Sequence, residues 1–377
     1  MTRPMMGADA LARALSIRDL TDPAQGPHAM QLLVRGAADA LRSAWGCKVL
    51  VHRGSPIVDT SDNYDRLHYD PGSVARDARY TRYVSPGQVL RTHTSAMIPP
   101  LLRTLGAVDD RLLVCAGLVY RRDCIDRLHT GEPHQLDLWR VRRAPERLRR
   151  PDLLAMIAHV VGALLPGRTW RSSETTHPYT EAGLQIDVLD AEAWVEIGEC
   201  GLALPALLDE AGRSSRDESG LAMGLGLDRI LMLRKGMGDI RLLRSHDPRV
   251  AVQMQDLSPY RPVSSMPPVR RDLSIVVAAD AEGEELGDQV RAALGDRASS
   301  VESVQILSET PYESLPPAAV VRLGIGRGQK NVLLRVVLRD LERTLTHEEA
   351  NTLRDAIYAA LHQGTAYEWA SRSSSWR

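Results

Sequence analysis

Phenylalanine is absent from this chain of 377 residues. Average usage would give a protein of this length roughly a dozen or more. Ten tyrosines and six tryptophans remain, so the loss is specific to one residue rather than to aromatic rings. Cysteine is sparse: Cys47, Cys115, Cys124 and Cys200, none in a C-x-x-C pair and none at zinc-like spacing to histidine. That excludes a disulfide scaffold and reads as reduced, mostly structural thiols, which suits a cytoplasmic protein. No apolar run approaches the ~20 residues of a membrane-spanning helix, so no membrane partner is expected. The first twenty residues lack the apolar centre of a secretory signal. Their arginines lie in a weakly amphipathic stretch, which leaves a transit peptide as the lesser alternative. The net charge is −1. A uniformly basic nucleic-acid binder is excluded, and such a partner would have to meet local patches such as RVRRAPERLRRP, 140–151.

What is present is ordered periodicity. Apolar residues at helical spacing predict helices over 28–44, 96–106, 150–167 and 202–212. Alternating or β-rich runs predict strands over 47–52, 111–122 and 134–143, and a pair from LQIDVLD and AWVEIGECG. Residues 60–90, rich in Tyr, Arg and Asp, read as a long functional loop. The Pro- and Ser-rich stretch 258–272 reads as a linker. Beyond it the order is β-α-β-β-β-α, with strands at 273–279, 301–310, 318–326 and 331–339. This is close to the ferredoxin-like plan, and Thr346 with Glu349 fits a capping box on the last helix. The expected division is therefore 1–257, a linker at 258–272, and a smaller domain at 273–377.

Four segments carry chemistry. GLAMGLGLDRILML (220–233) has its glycines in neither the dinucleotide-binding nor the P-loop order. A glycine-bearing strand that lets a flat ligand approach the backbone does fit, followed by a helix presenting Arg229 to a phosphate. The alternative is a tight strand–helix packing joint. GLVYRRDCIDRLHTGEPHQLD (117–137) delivers Arg121 and Arg122, then Asp123, Asp126 and His129, then Glu132, His134, Gln135 and Asp137. It could hold a phosphate beside an ammonium, or it could be an ion-paired hairpin. RTHTSA (91–96) puts an arginine, a histidine and hydroxyl groups around a turn. In THPYTEAGLQIDV…AWVEIGECG (176–201), Glu181, Asp187 and Glu196 could coordinate magnesium or orient a nucleotide.

Taken together, these segments resemble the signature motifs of class II aminoacyl-tRNA synthetases, and specifically those of the phenylalanyl-tRNA synthetase family. GSPIVDTSDNYDRLHYDP resembles motif 1, and RTHTSA is identical to that family's substrate-binding turn. The 117–137 segment resembles motif 2, and 220–233 resembles motif 3. RRDLS (270–274) and RDLERTLTHEEAN (339–351) resemble a ferredoxin-fold anticodon-binding domain, fused as in the single-chain, organellar-type enzyme. The resemblance covers roughly residues 20–370. It implies an α+β fold: an antiparallel sheet flanked by helices, plus a C-terminal α/β sandwich. It also implies ATP and Mg2+, phenylalanine or a close analogue, tRNA-Phe as partner, and a monomer. By resemblance, Arg121 holds the α-phosphate, Arg229 the γ-phosphate, and His129 and Glu132 lie on the ATP side. Glu196 supports ATP and magnesium. Gln135 and Asp137 hold the amino acid's ammonium, helped by His93 and Ser95. His177, Tyr179 and Ala222 line the ring pocket. Arg270, Arg271, Arg322 and Arg335 are candidates for tRNA phosphates. The chemistry implied is attack of a carboxylate on the α-phosphate, then acyl transfer to a ribose hydroxyl, achieved by positioning and electrostatics.

The departures from the family share one theme. Where it reads F-P-F-T-E-P, this chain has His177-Pro178-Tyr179-Thr180-Glu181-Ala182. N-F-D becomes Asn63-Tyr64-Asp65, F-H-Q becomes Pro133-His134-Gln135, and A-F-G becomes Ala222-Met223-Gly224. Each family phenylalanine that can be placed is exchanged, in and out of the pocket. One reading is selection for a chain that can be translated without Phe-tRNA, as a backup or self-protection enzyme would need. The alternative is codon drift. Substrate choice is also open: His177 and Tyr179 add polar groups that either meet a ring-hydroxylated analogue or find partners within the protein. Two other functions compete: a paralogue activating an analogue for biosynthesis, and an inactive tRNA-binding paralogue.

Overall fold

A computed structural model describes residues 5–107, 109–122, 124–263 and 266–366; Asp123 of the 117–137 segment lies outside them. Its strands in chain order are β1 (Lys48–His52), β2 (Ile57–Asp59), β3 (Tyr83–Ser85), β4 (Gln88–Leu90), β5 (Asp110–Leu118), β6 (His134–Arg143), β7 (Trp170–Glu174), β8 (Thr180–Asp190), β9 (Ala193–Ala203), β10 (Glu218–Gly226), β11 (Val269–Ala278), β12 (Val301–Pro311) and β13 (Gln329–Leu338). The chain divides into two compact units. The first comprises residues 1–121, 132–238 and 251–260; the second comprises 122–131, 239–250 and 261–377.

The first unit is built on a seven-stranded sheet of order β1-β5-β6-β10-β9-β8-β7. All neighbours are antiparallel except the edge pair β1–β5. The helix Ala29–Trp45 buries Leu33, Ala37 and Leu41, one stripe at i, i+4 and i+8. It begins where His28 Nδ1 accepts the Met30 N–H at 3.2 Å and ends at Gly46 in the left-handed region. It packs against the helix Arg150–Leu164, whose first turn carries Pro151 and Asp152. A second apolar cluster joins Leu113, Trp139 and Ala222 from the sheet with Ile98, Leu102 and Leu208. Residues 60–90, expected as a loop, are more ordered than that. They hold the small sheet β2-β4-β3 and short helical turns. Tyr64 anchors them from the core, its hydroxyl donating to the Ala75 carbonyl at 2.9 Å.

The second unit has a three-stranded antiparallel sheet of order β11-β13-β12. Leu273, Ile275 and Val277 alternate into a core shared with Leu286 and Val290 of the helix Gly283–Leu294 and Leu353 and Ile357 of the helix His347–Leu361. The capping box predicted at Thr346 and Glu349 is present. The strand predicted at 318–326 is not: Pro317–Leu323 is a helix. Val320 and Val321 supply the strand-like signal, but Pro317 presets the first helical φ and Gly324, at φ 60°, stops the turn. Among the described residues no helix is long and apolar enough to cross a membrane.

Candidate active site

The strand register of the first unit assembles the site from residues far apart in sequence. Ala222, Gly224 and Gly226 of β10 sit opposite Trp139, Asp137 and Gln135 of β6. On the other side Ala222 meets Gly201 and Gly224 meets Glu199. Alternation places these residues on one face. The glycines of 220–233 do two different jobs. A side chain at Gly220 would strike Ala203 and the Arg140 carbonyl at 2.9 Å, so it is a packing joint. A Cβ at Gly224 would meet nothing within 4 Å, and one at Gly226 only the Ile197 carbonyl at 3.9 Å. Gly220 thus fits the packing-joint reading, and Gly224 and Gly226 leave open space beside the strand.

The RTHTSA turn docks onto this face. Thr94 Oγ1 and Ser95 Oγ donate to the two Asp137 carboxylate oxygens at 2.5 and 2.8 Å, and Trp139 Nε1 adds a third bond at 3.1 Å. The Thr94 N–H reaches Gln135 Oε1 at 3.3 Å. Burial raises the Asp137 pKa, against these hydroxyl and indole donors. An arriving ammonium would offset that cost. Arg91 is a clamp beneath the turn, its guanidinium donating to the Leu118 carbonyl at 2.7 Å and the Gly54 carbonyl at 3.0 Å. It lies over Gly117, where any side chain would collide with it. His93 stacks on Tyr69 with centroids 5.5 Å apart. Burial pulls its pKa down to about 4, opposed by the Asn63 backbone and reinforced by the charge of Arg121. The imidazole is thus neutral at pH 7.

The ring-pocket residues form an aromatic cluster. Tyr179 lies between Trp139, Tyr69 and His177, at centroid distances of 6.0, 6.3 and 6.1 Å. Its ring is half-buried against that cluster, and desolvation with the neighbouring Tyr69 and Asp137 raises the phenol pKa well above normal, against the nearby Ser95 hydroxyl. His177 has Nδ1 3.2 Å from Thr180 Oγ1 and Nε2 2.7 Å from Glu199 Oε2. His177 thus meets Thr180 through Nδ1, while its Nε2 faces the Glu199 carboxylate without a hydrogen bond to it. Ala182, where the family has proline, sits at φ 50°, a value the proline ring forbids.

The charged end gathers Glu196 with Glu199, Asp187, Arg229 and Arg121. Burial, then the repulsion of Glu199, raises the Glu196 pKa; the two arginines and Asp187 act in smaller measure, the arginines lowering it. Arg229 Nη1 donates to the Glu196 carbonyl at 2.6 Å. Asp187 pairs with Arg171 at 3.0 Å and accepts from Gln185 at 2.8 Å. Asp228, beside Arg229, faces inward instead. Its Oδ2 accepts the His134 N–H at 2.5 Å and its Oδ1 lies 3.0 Å from His134 Nδ1. Glu132 pairs with Arg82 at 2.6 Å. Glu199, Tyr69 and Trp139 join this candidate site without having been singled out from the sequence, and Thr94 supplies one of the hydroxyl groups of the RTHTSA turn.

In the second unit, His129 Nδ1 lies 2.7 Å from Asp126 Oδ2. Burial pushes the Asp126 pKa up, but the His129 ring and the N–H groups of Leu128 and His129 outweigh it and hold it down to about 2. Arg335 forms a two-pronged pair with Asp272 at 2.8 Å, and Arg271 donates to Asn351 Oδ1 at 3.0 Å. Arg270 and Arg322 are exposed.

Comparison with known proteins agrees with this geometry. The family described as tRNA synthetases class II core domain (F) matches residues 28–254, and the ferredoxin-fold anticodon binding domain matches residues 264–369. The chain is similar to a phenylalanine–tRNA ligase, chloroplastic/mitochondrial, of Arabidopsis thaliana: 29% identity over 80% of this chain and 68% of the relative. It is similar to a probable mitochondrial phenylalanine–tRNA ligase of Drosophila melanogaster, at 26% identity over 81% of this chain and 76% of the relative. A phenylalanine–tRNA ligase alpha subunit of Prochlorococcus marinus matches at 33% identity, over 54% of this chain and 59% of the relative.

Proposed function

The chain belongs to the class II tRNA synthetase family, and from that premise we propose that it activates phenylalanine with ATP and transfers it to tRNA-Phe. The observation that carries this reading is the open Gly224–Gly226 strip, flanked by the arginine–carboxylate group at one end and the His93–Asp137 turn at the other. A nucleotide fits over glycines that lack side chains, with Arg121 on its α-phosphate and Arg229 on its γ-phosphate. Glu196, with Glu199 and Asp187 beside it, has the oxygen donors that Mg2+ requires; bound there, the ion would neutralise phosphate charge. Asp137, Gln135 and Ser95 hold the ammonium, and neutral His93 borders it without adding a competing positive charge. The substrate carboxylate then attacks the α-phosphate, pyrophosphate leaves, and a ribose hydroxyl of tRNA takes the acyl group. Arg121 is placed to stabilise the charge that develops during the first step. The resemblance also assigns His129, in the second unit, to ATP, and Glu132 to the same ligand by exchanging Arg82. In the C-terminal domain, Arg270 and Arg322 are the freest to meet phosphates, and Arg271 and Arg335 meet them by exchanging Asn351 and Asp272.

Phenylalanine itself is favoured over a ring-hydroxylated analogue, because Thr180 and the Glu199 carboxylate already lie against His177. The division at 258–272, a monomeric state and a cytoplasmic location belong to the same proposal. So does a backup role: a synthetase without phenylalanine can be translated when Phe-tRNA is scarce. The deciding experiment is amino-acid-dependent ATP–pyrophosphate exchange with Phe, Tyr and meta-Tyr, followed by acylation of tRNA-Phe. Exchange with Phe and charged tRNA-Phe are expected. Preference for meta-Tyr would replace this reading with the biosynthetic paralogue, and no exchange with any amino acid would replace it with the inactive one. For the backup role, a variant with the family phenylalanines restored should lose more growth than this chain on passing from excess to limiting phenylalanine, each compared with its own growth in excess; an equal loss refutes it.

A further inference from the structure

The loop 122–131 brings three different metal-ligand types together, and we propose that Cys124, Asp126 and His129 form a binding site for a borderline-soft divalent ion, Zn2+ or its analogues. Cys124 Sγ lies 3.7 Å from Asp126 Oδ2, His129 Nδ1 lies 2.7 Å from the same oxygen, and the three ligand atoms fall within 4.8 Å of one another. Cys124 is not in a disulfide, and all three residues are half-buried. The bond lengths of tetrahedral zinc sites put neighbouring ligand atoms about 3.3–3.7 Å apart. The Cys–Asp separation already matches, and the Asp–His separation has to open by about half an ångström.

The ligands are held by the loop's own bonding. Asp126 Oδ1 accepts the Leu128 N–H at 2.6 Å and the His129 N–H at 2.9 Å, which leaves Oδ2 turned to Cys124 and His129. Arg291 Nη2 holds the Cys124 carbonyl at 2.7 Å, and the Val304 N–H holds the Ile125 carbonyl at 2.8 Å. The Ile125 side chain is buried among the core residues of the second unit. Loop ordering, the main entropic cost of closing such a site, is therefore met before any ion arrives. Thiolate, imidazole and carboxylate favour zinc-like ions over Mg2+ or Ca2+, which take oxygen ligands. Binding releases the thiol proton, and water from the open side supplies the fourth ligand. None of its three ligands is among the residues proposed to hold magnesium, and the inference does not depend on the amino acid used.

The test uses the full chain, stripped with a chelator and titrated with Co2+ as a spectroscopic probe, without substrates. A single equivalent should give sulfur-to-cobalt charge-transfer absorption with the strong visible bands of tetrahedral cobalt, and Zn2+ should bleach both. Cys124→Ala should abolish the charge-transfer band. Asp126→Asn should weaken Co2+ binding at least about tenfold, the low end of what even an outer-shell partner is worth. Circular dichroism matching the parent shows that each variant is folded, and either variant alone suffices for the test. Absence of the band in the parent chain overturns the proposal. So does a band that survives Cys124→Ala, since it would place the ion at Cys47, Cys115 or Cys200.

Discussion

Replacing Asp228 should damage the fold, whereas replacing Arg229 next to it should damage the reaction. Asp228 joins the helix Leu227–Lys235 to β6 through two bonds to His134, whose side chain is fully buried. The ring's other nitrogen, Nε2, accepts the Leu20 N–H at 3.1 Å. The proton therefore sits on Nδ1, and the ring is held as a neutral donor to the carboxylate. Asp228→Ala deprives the His134 N–H and Nδ1–H of this acceptor. At about 1–3 kcal/mol for each of the two buried donors left short, the loss is about 2–6 kcal/mol. Asp228→Asn keeps one acceptor and should lose about half as much. Urea unfolding followed by tryptophan fluorescence reads this unit, because Trp45, Trp139, Trp170 and Trp194 lie in it. With an m value of about 3 kcal/mol per M, the midpoint should fall by about 1–2 M for Asp228→Ala. For Arg229→Ala, which gives up one bond to a carbonyl, the loss should stay near 1 kcal/mol. If Asp228→Ala left the midpoint unchanged while abolishing exchange activity, the reasoning would be wrong and Asp228 would be a ligand-binding residue.

Three other outcomes follow from the same geometry. Gly224→Ala should fold normally and weaken ATP-dependent exchange, since its Cβ enters open space over the proposed nucleotide strip; Gly198→Ala, whose Cβ would be forced into the Gly224 carbonyl, should reduce soluble, folded protein instead. Equal stability for the two would remove the distinction between ligand-facing and packing glycines. Arg121→Ala should lower kcat of exchange by about 10²–10³ with an unchanged unfolding midpoint, and a loss confined to KM would show ground-state binding only. His93 has its folded pKa lowered to about 4 from 6.5, so below pH 6.5 the unfolded chain takes a proton that the folded chain refuses. Stability should therefore fall as pH drops from about 6.5 to 4, by up to about 3 kcal/mol. His93→Gln should flatten that part of the urea-midpoint profile, and a profile identical to the parent's would refute the assignment.

How much of this could be read from the sequence depends on how far apart the cooperating residues are. β6 coincides with the run predicted at 134–143, because alternation along one strand is a local signal. Gln135, Asp137 and Trp139 share a face by the same rule, yet only the first two were singled out. Trp139 reads as plain core until its indole is seen bonding Asp137. Glu199 carries no local signal. It becomes a site residue because β9 pairs with β10 in the register that sets it opposite Gly224, and register is a property of the sheet rather than of either strand. Tyr69 reaches His93 from a segment whose polar composition reads as loop, because a few buried anchors such as Tyr64 order it. The aromatic cluster explains how the pocket tolerates the loss of its phenylalanines. Burying an imidazole in place of a phenyl ring costs less when its polar atoms are met, and here Thr180 lies 3.2 Å from His177 Nδ1 and the Glu199 carboxylate 2.7 Å from its Nε2. Phenyl rings restored at 177 and 179 should therefore leave Glu199 without its imidazole contact. The gain in apolar surface would be offset by a carboxylate facing an aromatic wall, so the exchange of phenylalanine has to be reversed together with its polar neighbours or not at all.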